Sequence, residues 1–277
     1  MNGPNSEYAQ YVKEQLNNEQ WERLEKIEKT LDKEIQLDET RLYEIMCDFS
    51  DREKRIAAET PFIMSQVADI KTKKIFDASL GSGYASLGLK RAGVAHVTSN
   101  DIDENLIQHS LKEAAEMNLS LTITRYDWRE LDQHFSNEFD VVFNLGNSLT
   151  YLFKPSDRKK SVENFFAITK PEGTLLIDTR NYQEIISGNF QNKGRGVYKG
   201  TDKIHIKPAY VAQDMIVMRY IHNASKNYYD LVLYPLMVEE LSDLVRDAGF
   251  RNIKIFGDYK EKYTPKEVEF YTVVAKK

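Results

Sequence analysis

The sequence predicts a doubly wound α/β protein: a mostly parallel sheet of seven strands, preceded by a helical segment and interrupted by an antiparallel insertion. Three observations predict it. Five short apolar runs, at residues 74–79, 96–101, 121–127, 140–145 and 173–180, alternate with helical periodicity over 84–91, 104–117 and 156–169, the rhythm of βαβ units and a parallel sheet. That rhythm stops after Arg180, where strand-like runs at 203–206, 215–221 and 228–234 follow one another with no helix between them. A last helix over 238–248, ended by Gly249 as its C′ residue, leads to closing strands at 253–257 and 270–275. These two complete the seven as an antiparallel edge pair.

The elements before the sheet are helical. Residues 7–47 carry Trp21, Leu24, Ile27 and Leu31 at three-to-four spacing with Glu and Lys between them, a stripe suited to packing on the core or on another subunit. A second helix runs from about 51 to 67, with Ser50 as N-cap and Glu53 three residues on, the spacing of a capping box. In the helix after the second strand, Leu106, Ile107, Leu111, Ala114 and Ala115 form the sheet-facing stripe. Four parts result: a helical segment (1–50), a ligand-binding core (51–180), a lid or substrate insertion (181–235) and a C-terminal completion of the sheet (236–277).

Composition excludes several classes. Net charge is −5, and basic residues are mixed with acids almost everywhere, so no basic face is available for nucleic acid. No run approaches the roughly 18 apolar residues of a membrane span. The polar start, Met1 to Ser6, has no signal-peptide character, which points to the cytoplasm. Cys47 is the single cysteine, so an internal disulfide is impossible; on the apolar side of its helix it reads as a small core residue rather than a nucleophile. The five histidines lack metal-ligand spacing, so no metal is expected.

The strongest chemical signal ends the first strand: Asp77-Ala78-Ser79-Leu80-Gly81-Ser82-Gly83. The two glycines permit a tight turn and a close backbone approach just before a helix N-terminus. A dinucleotide fingerprint would place a third glycine where Ser86 stands, and Asp77 would repel a pyrophosphate. An acidic loop better suits a cationic ligand with an amino-acid group, and S-adenosylmethionine is one. The second strand ends at Asp101, which can take two ribose hydroxyls; Asp103 is the weaker candidate, and helix capping is the alternative for each. The third ends Tyr126-Asp127-Trp128, a carboxylate and an indole suited to adenine.

With these strand ends the chain resembles the class I S-adenosylmethionine-dependent methyltransferases and their Rossmann-like sheet. More narrowly it resembles the glycine and glycine/sarcosine N-methyltransferases. The resemblance is carried by Asp127-Trp128-Arg129, Leu145-Gly146-Asn147-Ser148, Asp178-Thr179-Arg180-Asn181-Tyr182, Leu233-Tyr234-Pro235 and Gly257-Asp258-Tyr259, spread over roughly four-fifths of the chain from about Arg55.

It implies roles residue by residue. Ser79, Gly81 and Gly83 cradle the methionine moiety, and Arg55 pairs with its carboxylate; otherwise Arg55 is an ordinary exposed helix arginine. Asp101 holds the ribose, and Asp127 and Trp128 the adenine. Leu145 and Asn147 sit under the sulfonium and beside the acceptor. Arg180 forks onto the acceptor's carboxylate, with a salt bridge to Asp178 as the alternative, and Tyr198 closes over the acceptor. The family usually carries Ala-Cys/Thr-Gly-Thr-Gly where this chain reads Ser-Leu-Gly-Ser-Gly, and His where it has Tyr151, near the methyl-transfer region. Residues 1–50 do not match the family's substrate-covering arm.

The resulting expectation is an N-methyltransferase for glycine, sarcosine or a similar small amino acid. S-adenosylmethionine is its cofactor and S-adenosylhomocysteine the product. Nucleic acid and membrane partners are not expected; the N-terminal stripe leaves a homo-oligomer open. Other readings are another small amine, guanidino or hydroxyl acceptor, a non-catalytic binder of the cofactor, and an NAD(P) oxidoreductase.

Overall fold

The computed structural model describes residues 7–30, 35–37, 51–190 and 203–277. Leu31, Cys47, Ser50 and Tyr198 lie outside them. Among the described residues ten strands follow in chain order: β1 (Lys74–Asp77), β2 (His96–Asn100), β3 (Thr122–Thr124), β4 (Phe139–Asn144), β5 (Thr169–Arg180), β6 (Ile204–Val211), β7 (Ile216–His222), β8 (Tyr228–Leu233), β9 (Arg251–Gly257) and β10 (Phe270–Lys276). The main sheet has the order β3-β2-β1-β4-β5-β10-β9. β1 to β5 run parallel, and β10 is antiparallel to both β5 and β9. β6, β7 and β8 form a separate antiparallel sheet. The doubly wound, mostly parallel, seven-stranded sheet is the one the sequence predicts.

Central strands buried on both faces read as continuous apolar runs. Ile75 and Phe76 of β1, Val141 to Phe143 of β4 and Leu175 to Ile177 of β5 are all fully buried. One face packs on α6 (Pro155–Ile168) and α8 (Val238–Asp247) through Phe165, Ile168, Leu241 and Val245. The other packs on α3 (Arg52–Ser65) and α4 (Tyr84–Arg91) through Ile63 and Leu89. α5 (Glu104–Glu116) completes the second crossover. Strand order reverses between β1 and β4, so their carboxyl ends open a crevice, the usual ligand position in such sheets.

Boundaries shift where side chains compete with the backbone. α3 is capped by Asp51, which accepts the Lys54 N–H at 3.0 Å, one residue after the expected Ser50. β3 is cut to three residues because Asn100 binds both polar groups of Tyr126, donating to its carbonyl at 2.9 Å and accepting its N–H at 2.8 Å. Gly249 takes the expected C′ position with φ +115°. The five-residue helix α7 (Tyr182–Ile186) directly after β5 is an addition to the expected elements.

Among the described residues, the N-terminal segment holds two helices in place of the single one expected: α1 (Glu7–Gln15) and α2 (Asn18–Thr30). Asn17 and Gln20 make a reciprocal capping pair between them, with Gln20 N–H to Asn17 Oδ1 at 2.9 Å and Asn17 N–H to Gln20 Oε1 at 3.1 Å. The apolar stripe then packs within its own chain. Alternation along β7 and β8 sends Ile216, Met218, Tyr220, Leu231 and Leu233 toward the main sheet. It sends Val217 and Val232 outward, against Val12, Leu24 and Ile27 of the two helices and Leu16 between them. A buried ion pair, Arg219–Asp230 at 2.8 Å, lies on this outer face, and Asp230 also accepts the Gln36 N–H.

α3 and α4 touch at Gly88, where a Cβ would lie 2.0 Å from Thr60 Oγ1 and 3.1 Å from Ile56 Cγ2. Gly88→Ala is therefore expected to cost about 1–3 kcal/mol in thermal or urea unfolding. Adding Thr60→Ala, which removes the clashing oxygen, should recover most of the loss.

Candidate active site

A cavity of about 500 Å³ opens at the carboxyl ends of β1 to β5 and is closed by residues of α1, β7, β8 and the start of β10. Its floor is the glycine loop. Asp77 is buried and accepts the Ser79 N–H at 3.1 Å and the Ser86 hydroxyl at 2.7 Å. Ser86 also lies 2.8 Å from the Ser99 hydroxyl, so the residue standing in place of a third glycine anchors the loop acid. Both oxygens of Asp77 are thus engaged by the loop, and burial pushes this carboxyl up to about 7.

Gly81 has φ +50°, and its N–H donates to Asp101 Oδ2 at 2.8 Å. Gly83, with φ +79°, starts α4, and a Cβ there would lie 2.8 Å from that of Ser110. The loop is tied sideways to β4 by the Ser79 hydroxyl, which donates to the Leu145 carbonyl at 2.8 Å.

Asp101 accepts N–H groups from Gly81 and Asp103, and burial pushes its carboxyl up. Asp103 caps α5 through the Leu106 N–H at 3.1 Å. Between them Ile102 is 59% exposed and lines the cavity. An isoleucine between two acids at a strand end is a signal the sequence reading passed over. Arg129 grips Asp127 with a fork, Nε to Oδ1 at 2.9 Å and Nη2 to Oδ2 at 2.6 Å. Burial pushes Asp127 up, but the hydrogen bonds and charge of Arg129 outweigh it and leave the carboxyl below its ordinary range. Trp128 Nε1 donates to the Ala78 carbonyl at 2.6 Å, fixing the indole across the end of β1.

The β4 and β5 ends meet at Asn147, which has φ +63°. Its N–H donates to Asp178 Oδ1 at 2.6 Å, beside that of Gly146 to Oδ2 at 3.1 Å. The Asn147 amide donates to Thr150 Oγ1 and to the Tyr182 hydroxyl, and accepts the Arg180 N–H at 2.9 Å. Both amide N–H groups are used inside the protein. Asn147 thus fixes its neighbours.

The Arg180 guanidinium is buried, lies 4.4 Å from the Phe270 ring and pairs with Glu269 at 3.2 Å. The expected alternative partner, Asp178, is held by the Gly146–Asn147 turn. Arg180 Nε is buried with no hydrogen-bond partner. Arg55 is likewise more than an exposed helix residue: Glu59, fully buried, holds it at 2.9 and 2.5 Å, and it lines the cavity.

Tyr151 is held in the same wall, edge-on to Tyr8 at 6.5 Å, and burial pushes its phenol well above its ordinary value. Tyr8 and Tyr11 come from α1. Tyr8 Oη accepts the Val232 N–H at 3.3 Å, and Tyr11 Oη donates to the Tyr151 carbonyl at 3.4 Å. This pair lies ahead of the apolar stripe expected from Trp21 onward, and no periodic signal in the sequence marks it. Tyr198 falls outside the described residues.

A crevice at the strand-order reversal, with a glycine loop and a second-strand acid, is the cofactor site of a Rossmann-like fold. The methyltransferase domain model matches residues 75–173. A solved S-adenosylmethionine-dependent methyltransferase from Clostridium acetobutylicum has the same fold, with a TM-score of 0.62 over 82% of this chain and 92% of that chain at 15% identity. Glycine/sarcosine N-methyltransferase of Aphanothece halophytica is 32% identical over 80% of this chain and 83% of its own length. The corresponding protein of Parasynechococcus marenigrum is 32% identical over 83% of each. Rat glycine N-methyltransferase is 24% identical over 76% of this chain and 80% of its own length. The chain is an S-adenosylmethionine-dependent methyltransferase and belongs to the glycine/sarcosine N-methyltransferase family.

Asp77 yields a pH prediction. Its folded value of about 7 lies above its ordinary 3.8, so the folded state binds the extra proton and stability falls as pH rises through this window. Asp77→Asn, which keeps a polar group for Ser79 and Ser86, should raise the Tm by roughly 4 °C or more at pH 8. The gain should shrink toward pH 4, as scanning fluorimetry across pH would show.

Proposed function

We propose that this enzyme methylates the amine of a small amino acid, glycine or sarcosine first among them. The observation that carries this reading is Arg180: a buried guanidinium at the inner end of the cavity with its Nε unpartnered, in a chain whose relatives are named for those two acceptors. A guanidinium suits a carboxylate, and the amino-acid class follows.

The cavity residues fit the donor. Gly81 and Gly83 hold backbone conformations that bring the loop close to a ligand, and Ser79 and Arg55 face the same end. Asp101 takes the ribose; Ile102 and Trp128 flank the adenine beside Asp127. Bound there, S-adenosylmethionine supplies an electrophilic methyl group on a sulfonium. Leu145 lines the wall between donor and acceptor. The 51–180 core is then the donor half of the site, with the 181–235 insertion contributing to the acceptor half.

The chemistry asked of the protein is orientation. Holding nitrogen and methyl in line is potentially worth roughly 7–11 kcal/mol. Arg180 fixes one end of the acceptor, leaving the amine toward the donor. Burial among the phenols of Tyr8, Tyr151 and Tyr220 disfavours an ammonium, so the amine gives its proton to solvent as it enters and needs no dedicated base. Asn147 acts by holding Tyr182 and the Arg180 backbone. We place the reaction in the cytoplasm, with a small molecule as the acceptor.

Following S-adenosylhomocysteine over a panel of glycine, sarcosine, dimethylglycine and unrelated amines tests the proposal. Turnover is expected with glycine or sarcosine and lost in Arg180→Ala. Arg180→Lys, a point charge in place of a fork, should raise acceptor KM about tenfold while donor Kd stays within about twofold. An unchanged acceptor KM would remove Arg180 from the site. For the donor half, Asp101→Ala should weaken S-adenosylmethionine binding by about tenfold or more in calorimetry.

A further inference from the structure

Arg180 reaches the cavity with a carboxylate already attached to it. Glu269 Oε1 lies 3.2 Å from Arg180 Nη1, and the two side chains are 14% and 4% exposed. Glu269 itself is absent from the cavity wall, whereas Arg180 and its neighbour Phe270 line it. The acid therefore stands behind the guanidinium. It is also held there. Asp258 accepts the Glu269 N–H at 3.2 Å and the Phe270 N–H at 2.9 Å, and the Glu269 carbonyl accepts the Asn181 N–H at 2.9 Å. The turn that delivers Asp258 places it and Tyr259 at φ +46° and +62°, a left-handed pair that needs support from its surroundings. One short segment thus presents both an acid and an aromatic ring to Arg180.

We propose that Glu269 is the positioning residue that sets how strongly the acceptor site takes an anion. The inference rests on the reading of this cavity as an amino-acid acceptor site. Glu269 holds the guanidinium by its Nη1 and leaves other N–H groups of the fork for the acceptor. It also neutralises Arg180 before any acceptor arrives. The acceptor carboxylate must then share one cation with a second carboxylate. Arginine has N–H groups enough for both, but the two anions repel each other across a buried site, and like charges brought together weaken binding. The site is built for an acceptor bound loosely and released readily as product, not for tight capture.

Glu269→Gln separates charge from geometry, because the amide keeps an oxygen for Arg180 and loses the charge. Acceptor KM, the inhibition constant of acetate as a probe of the carboxylate subsite, and donor Kd should be measured in the full chain. Glu269→Gln is expected to lower acceptor KM and the acetate constant together, by about threefold or more, with donor Kd unchanged. Glu269→Ala, which also frees the guanidinium, and Asp258→Asn, which loosens the segment, should raise acceptor KM instead. A purely structural residue would weaken binding in all three variants. Glu269→Gln with acceptor binding unchanged or weaker, while Arg180→Ala abolishes it, would overturn this inference and leave the proposed function standing. An acceptor KM indifferent to Arg180→Ala would overturn the acceptor reading itself.

Discussion

The carboxyl ends of β4 and β5 are held together by a single buried carboxylate, and the acceptor side of the site depends on it. Asp178 takes the N–H groups of Gly146 and Asn147, which turns the chain through left-handed conformations at both residues. That turn aims the Asn147 amide at Thr150, Tyr182 and the Arg180 backbone. Without the carboxylate, the buried Asn147 N–H would lose its partner, a cost of roughly 1–3 kcal/mol, and the Gly146 N–H would lose its own at lower cost. The positions of Tyr151 at the end of the following turn and of Arg180 at the strand terminus follow from the same network. The donor side hangs on it as well, since the Leu145 carbonyl just before the turn receives the Ser79 hydroxyl of the glycine loop.

The antiparallel sheet works as the middle layer of a second, smaller sandwich. Its inner face meets α7 and Phe270, while its outer face is covered by α1 and α2. This arrangement explains how residues far apart in sequence reach one cavity. Tyr220 and Leu231 come from the inner face, and Tyr8 and Tyr11 come around its edge from the covering helix.

Most of the parallel core was legible because its strands are buried on both faces and leave unbroken apolar runs bounded by turn residues. The helix at 84–91 and the cap at Gly249 followed from equally local signals. The break at Asn17 was not legible, because the amphipathic stripe continues across it and only the reciprocal Asn17–Gln20 bonds reveal a restart. The donor loop could be read because Asp77, Gly81 and Gly83 act within a few residues of one another. The engagement of Asp127 by Arg129 stood two residues away in the motif, yet only geometry shows a fork. Glu269 lies 89 residues beyond Arg180, and Tyr8 lies 224 residues before Val232. No periodicity spans such separations. The choice of Glu269 over Asp178 as the partner of Arg180 was settled by the backbone groups that claim Asp178 first.

Forming the wall of a cavity from a terminal helix ties ligand traffic to the docking of that helix. α1 is held by the apolar contacts of Tyr8, Ala9 and Val12, with Leu16 just past its end, and by long-range hydrogen bonds through Tyr8, Tyr11 and Gln15. Any ligand touching Tyr8 or Tyr11 adds to that hold, and by reciprocity a docked helix retains the ligand longer. Occupancy and N-terminal order are then one equilibrium viewed from two ends. A protease that cleaves the undocked segment would find its target withdrawn as the site fills.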